Sequence, residues 1–92
     1  MKKFIIERNL PGAGNLSAEE LQAISQVSCS VVSQLGNSYQ WVESYVTGDK
    51  LYCVHLAENE EAIREHARLG NFPINTVAEV KTVINPLTSN PL

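Results

Sequence analysis

Two strand-like segments joined by a tight turn constrain the fold of this chain more than any other feature. Tyr39–Val46 and residues 51–56 are rich in aromatic and β-branched residues, and Gly48-Asp49 between them suits a two-residue hairpin turn. With that turn, Thr47 pairs with Lys50, and the antiparallel pairing continues residue by residue away from the turn. One face of the hairpin then carries Trp41, Glu43, Tyr45, Tyr52, Val54 and Leu56. The other face then carries Val42, Ser44, Val46, Leu51, Cys53 and His55.

A helical segment flanks the hairpin on each side. Ser17, with Glu20 three residues later, predicts a capping box at the start of the first helix, and Gly36-Asn37 ends that helix. Its inward stripe recurs at three- and four-residue steps: Leu21, Ile24, Ser28, Val31 and Leu35. The second helix is predicted over residues 60–69, and its stripe is Ile63, His66, Ala67 and Gly70. His66 is therefore expected to face the sheet.

The first and last strands along the chain are predicted at residues 3–8 and 77–84, which gives the element order βαββαβ. Two interleaved right-handed βαβ units in this order form a ferredoxin-like fold of the α+β class. We expect a four-stranded antiparallel sheet in the order 4-1-3-2, with both helices on one face. The chain of 92 residues is expected to form a single domain over residues 1–92, with residues 86–92 as a loose tail.

The charge balance argues against two classes of partner. A formal net charge of −3 disfavours general binding to nucleic acid or to an anionic membrane, and no apolar run approaches the length of a membrane span. The apolar start of the chain is interrupted by Glu7 and Arg8, which is not typical of a signal peptide. We therefore expect a cytoplasmic protein.

Three side chains with affinity for transition metals are predicted to lie close together. Cys53 and His55 are two residues apart on one strand and so share a face, and His66 lies on the helix that follows. The helix rises roughly 10 Å from about residue 59 to His66, and the strand covers about 13 Å back to Cys53. This height estimate places the three side chains at a similar level along the sheet. A thiolate with imidazoles suits nickel, copper or zinc. The alternative is that Cys53 is a small buried hydrophobe and His66 a hydrogen-bonded core histidine.

The face with Trp41, Glu43, Tyr45 and Tyr52 is too aromatic to remain in water and too charged for a plain core. Such a mixed surface is typical of a dimer interface or a ligand cleft. Glu43 in aromatic surroundings can act as an acid or base, or as a metal ligand. The alternative for Glu43 is an exposed strand residue or a salt bridge across a homodimer.

Several segments resemble a small bacterial family described as nickel-binding proteins, most of whose members are labelled as a domain of unknown function. The resemblance covers nearly the whole chain and is carried by residues 41–47, 49–54, 60–67 and 70–73. It implies a dimeric ferredoxin-like, or α/β-barrel, fold, a homodimer, and binding of nickel or another divalent transition metal. His55 departs from the family pattern, in which an aromatic residue is common at this position.

Three functions of different classes remain open from the sequence. The first is a dimeric metal-binding accessory protein that uses Cys53, His66 and His55. The second is a cofactor-independent enzyme of the dimeric α/β-barrel type that uses the cleft around Glu43, although no catalytic motif favours an enzyme. The third is a ligand-binding or interaction module without chemistry.

Overall fold

A computed structural model describes residues 1–92. Its elements in chain order are β1 (Lys2–Asn9), a short 3-10 helix (Ala13–Asn15), α1 (Ala18–Leu35), β2 (Tyr39–Val46), β3 (Lys50–Ala57), α2 (Glu60–Gly70), β4 (Thr76–Glu79) and a second 3-10 helix (Pro86–Ser89). The four strands form one antiparallel sheet in the order β2-β3-β1-β4. The predicted ferredoxin-like fold and strand order are confirmed.

The central strand β1 supplies much of the core. Phe4, Ile6 and Arg8 alternate with more exposed residues and are buried on the helix-facing side of the sheet. The register of β1 with β3 places Ile6 opposite Cys53, which is also buried. Ile63 of α2 completes this core and is inaccessible to solvent. The core therefore lies between the sheet and the two helices.

Both helices begin at side-chain caps. The capping box of Ser17 and Glu20 is present at α1, and the Asn59 side chain accepts a hydrogen bond from the amide of Ala62 at the start of α2. Asn71 ends α2 in the left-handed conformation, with φ of 55°. Neither helix combines the length and the hydropathy that crossing a membrane would require.

Strand β2 departs from the predicted hairpin register at a β-bulge. The half of the hairpin nearest the turn pairs as predicted, but Trp41 pairs with His55 and not with Leu56. The chain gains one unpaired residue at Val42, and everything before it is shifted by one position. The prediction that Trp41 lies on the open face of the sheet is therefore wrong. Its indole lies on the helix side, where Nε1 donates a hydrogen bond to Ser44 Oγ at 3.0 Å.

Strand β4 is shorter than the predicted segment of residues 77–84. Its pairing with β1 ends at Glu79, and one further bond joins the amide of Val80 to the carbonyl of Lys3 at 2.8 Å. Because β1 begins at Lys2, it offers no further partner to the residues that follow. Residues 81–92 are all exposed, and Asn85 caps the short 3-10 helix within them.

Candidate functional site

One cavity of about 160 Å³ lies between α1 and the helix-facing side of the sheet. Apolar side chains form most of its wall: Leu21, Ile24, Trp41, Val46, Leu51 and Phe72. Polar groups from five different elements also reach it: Arg8, Ser25, Ser28, Ser44, Cys53, His55 and His66. We call this space the α1 cavity. It contains all three side chains that the sequence analysis named as metal-ligand candidates.

Two buried histidines from different elements meet at this cavity. His55 of β3 and His66 of α2 are each 1% exposed, and their ring centroids are 4.7 Å apart at an interplanar angle of 77°. Tyr39 and Phe72 stack on the His66 ring with centroid distances of 5.1 and 5.4 Å. The predicted inward orientation of His66 is confirmed, and aromatic packing fixes the planes of both imidazoles.

Each imidazole has one hydrogen-bonded nitrogen and one free nitrogen. The hydroxyl of Tyr39 bonds to Nδ1 of His55 at 2.6 Å, and the hydroxyl of Ser28 bonds to Nε2 of His66 at 3.1 Å. Nε2 of His55 makes no hydrogen bond, and Nδ1 of His66 is fully enclosed without a partner. The enclosed nitrogen is unusual because nearly all buried polar atoms in proteins are hydrogen-bonded.

Burial keeps both histidines neutral near neutral pH. Desolvation, with a smaller contribution from the nearby His66 and Arg8, lowers the pKa of His55 to about 3. Desolvation and the Arg8 charge lower the pKa of His66 to about 4. Burial also raises the pKa of Tyr39, so its phenol stays protonated. A neutral imidazole has one N–H and one lone pair, so each ring has a nitrogen lone pair near neutral pH.

Arg8 is a buried charge without an anionic partner. It is 2% exposed, and none of the salt bridges in the protein includes it. Its Nε donates a weak hydrogen bond to Cys53 Sγ at 3.5 Å, and Nη1 donates to the carbonyl of Pro73 at 2.8 Å. The guanidinium lies over the Phe72 ring, 5.3 Å from the centroid. A sulfur atom, a carbonyl and an aromatic ring solvate the charge only in part.

The residues fit a metal ion in donor type but not in number. Imidazole and thiolate are suitable ligands for nickel, and the three predicted residues line one cavity. However, no group of three His, Cys, Asp or Glu side chains is positioned to hold a metal ion. Cys53 accepts a hydrogen bond from Arg8, so the free nitrogens of His55 and His66 are the remaining donor pair.

Glu43 does not lie in the cleft that the sequence predicted. It is exposed on the opposite side of the sheet, where the hydroxyl of Tyr45 donates a hydrogen bond to its carboxylate. This contact raises the pKa of Tyr45. Glu43 lines none of the three cavities. The aromatic cleft is absent because Trp41, which was expected to form one wall, lies on the helix side of the sheet.

Sequence reasoning missed Arg8 and Tyr39 as members of the site. The period of two along β1 would have found Arg8, because it shares a face with Phe4 and Ile6. Tyr39 opens a strand that was predicted correctly, but its contact with His55 depends on the shifted register of β2. The bulge has no clear signal in this sequence.

The fold and the cavity together define a small ferredoxin-like domain with a buried histidine pair beneath its first helix. Residues 4–80 match the family model described as "Nickel responsive protein SCO4226-like". The chain belongs to this family, as the sequence resemblance predicted.

A solved structure gives the same fold. "Crystal structure analysis of SCO4226 from Streptomyces coelicolor A3(2)" describes a protein that matches this structure with a TM-score of 0.75 and 13% identity. The match covers 89% of this chain and 99% of that one. A search of curated protein sequences found no significant match.

Proposed function

We propose that this protein is a cytoplasmic homodimer that binds nickel or another divalent transition-metal ion through the imidazoles of His55 and His66. The choice of nickel rests on the description of the family. The observation that carries the assignment is the pair of imidazoles in which one nitrogen is hydrogen-bonded and the other is free. Metal-ligating histidines almost always use their second nitrogen in this way, because the hydrogen bond fixes the tautomer and the ring plane.

The proposal assigns a role to the two hydroxyl partners. When Nδ1 of His55 donates to Tyr39 and Nε2 of His66 donates to Ser28, the lone pairs lie on the free nitrogens. Both rings are already neutral near neutral pH, so coordination does not have to displace a proton. A metal ion bound there would accept these lone pairs.

Nickel titration of tag-free protein by calorimetry, with native mass spectrometry to count bound ions, tests the site. His55→Gln and His66→Gln should each weaken nickel binding at least about tenfold, and Tyr39→Phe should weaken it by a smaller factor. Cys53→Ser and the exposed-cysteine control Cys29→Ser should both retain wild-type affinity. Equal nickel affinity in wild type and in both histidine variants would reject the site.

The open face of the sheet supports the homodimer. Both helices lie on the other face, and Ile5 and Tyr45 are 41% and 55% exposed. Tyr52, Val54 and Leu56 lie on the same face and are half-buried. A second copy of the chain would cover this surface and bury the aromatic groups.

Light scattering of matched variants tests the interface. Ile5→Lys should convert the dimer to a monomer, because it places a charge at the centre of the proposed contact. Leu69→Lys is the control, since Leu69 is 38% exposed on α2, on the helix side of the sheet. A wild-type protein that is monomeric at micromolar concentration would refute the proposal.

A further inference from the structure

The unpaired charge of Arg8 is a separate observation from the hydrogen bonding of the histidine pair. A buried ion carries a large desolvation penalty unless an opposite charge and hydrogen bonds compensate it. A guanidinium has five N–H donors, and only Nε and Nη1 have acceptors in this protein. Nη2 has none. The one fully enclosed side-chain nitrogen without a partner is Nδ1 of His66, so Nη2 of Arg8 borders open space.

Two cavities border Arg8: the α1 cavity and a neighbouring cavity of about 340 Å³. Arg8 lines the α1 cavity of about 160 Å³ together with Leu21, Ile24 and Leu51. A cavity of this volume accommodates a single benzene ring. The cavity therefore offers one buried positive charge and an apolar wall, in a space sufficient for one small molecule.

We propose that the α1 cavity binds a small organic carboxylate with an apolar body, paired through its carboxylate with Arg8. The planar guanidinium matches a carboxylate in geometry and can donate two parallel hydrogen bonds to it. Arg8 is the only lysine or arginine among the residues that line the cavity, and no carboxylate lines it. A single positive charge suits a monocarboxylate better than a phosphate ester, and the volume excludes a nucleotide.

The single tryptophan of the protein provides the measurement. Trp41 lines the α1 cavity and not the neighbouring cavity that also borders Arg8, so its fluorescence reports on the first space. The wild-type protein is titrated in chelator, without nickel, with three probes: benzoate, the neutral isostere benzamide, and sulfate. We expect benzoate to change the emission in a saturable manner, with an affinity at least about tenfold higher than that of benzamide or sulfate.

Variants then test the role of the charge. Arg8→Met should bind benzoate at least about tenfold more weakly, whereas Arg64→Met, which removes an exposed arginine on α2, should leave binding unchanged. Arg8→Lys keeps the charge, and its affinity for benzoate should lie between those of Arg8→Met and the wild type. The wild-type comparison of benzoate with benzamide does not depend on the folding of any variant.

Several results would overturn the proposal. The first is the absence of a saturable response to benzoate at millimolar concentration. The others are an affinity for benzamide or for sulfate equal to that for benzoate, and unchanged benzoate binding in Arg8→Met. Amide shift changes in NMR that centre on Ala23 and Val27, which line the neighbouring cavity, would likewise refute the assignment to the α1 cavity. Because every titration lacks nickel, these results are separate from the test of metal binding.

Discussion

Mild acid should destabilise this protein through its two buried histidines. In the unfolded chain each imidazole titrates near pH 6.5, whereas burial lowers the folded pKa to about 3 for His55 and to about 4 for His66. Below about pH 6.5 the unfolded state therefore binds up to two protons that the folded state does not bind. The free energy of unfolding therefore decreases as the pH falls below about 6.5, and it is nearly independent of pH above that value.

The magnitude follows from proton linkage. Each histidine lowers the free energy of unfolding by up to about 1.4 kcal/mol per pH unit. Integrated from about pH 7 to about pH 5, His55 contributes about 1.9 kcal/mol, His66 about 1.8 kcal/mol, and the pair about 3.7 kcal/mol. Small domains are stable by only about 5–15 kcal/mol, so this loss is a large share of the total.

Urea unfolding followed by circular dichroism, in chelator at several pH values, measures the effect. The double variant His55→Gln/His66→Gln keeps every carboxylate, and its residual pH dependence is the background to subtract. His66→Gln alone should retain about half of the wild-type loss. The same pH dependence in wild type and the double variant, or an NMR titration giving both imidazoles a pKa near 6.5, would refute the reasoning.

Two further substitutions probe the packing around the histidine pair. Tyr39→Phe removes the hydroxyl partner of His55 Nδ1 and should lower the free energy of unfolding by about 1–3 kcal/mol, measured as a shift of the urea midpoint at constant slope. Gly70→Ala should also destabilise the protein, because a Cβ built at Gly70 overlaps the Phe72 ring. The overpacking cost of about 1–3 kcal/mol exceeds the gain of about 1 kcal/mol in helix propensity, and a more stable variant would contradict this.

The fold was accessible from the sequence because local signals agreed with one another. The capping box at Ser17, the stripe through Ile63 and His66, and the turn at Gly48-Asp49 each predicted an element that is present. The element order βαββαβ then predicted the ferredoxin-like topology, and the observed strand order confirms it. These signals depend on neighbours within a few residues, so a single sequence contains them.

The site was less accessible because it depends on contacts between distant elements. The bulge at Val42 moves Trp41 to the helix side and removes the cleft expected around Glu43. Cys53 and His66 do share a cavity, as the height estimate predicted, but the distance between donor atoms depends on rotamers that periodicity does not determine. Arg8 was overlooked because a charged residue is usually assigned to the surface.

The buried charge of Arg8 links the two proposed ligands of this cavity. Arg8 helps to lower the pKa of both imidazoles, so its positive charge also opposes a cation on their free nitrogens. A carboxylate that neutralises Arg8 would remove this repulsion, and benzoate should then raise the affinity for nickel. By linkage, nickel should raise the affinity for benzoate by the same factor. Calorimetric titration of each ligand in the presence and absence of the other measures both factors. Independent or competitive binding of the two ligands would contradict this coupling.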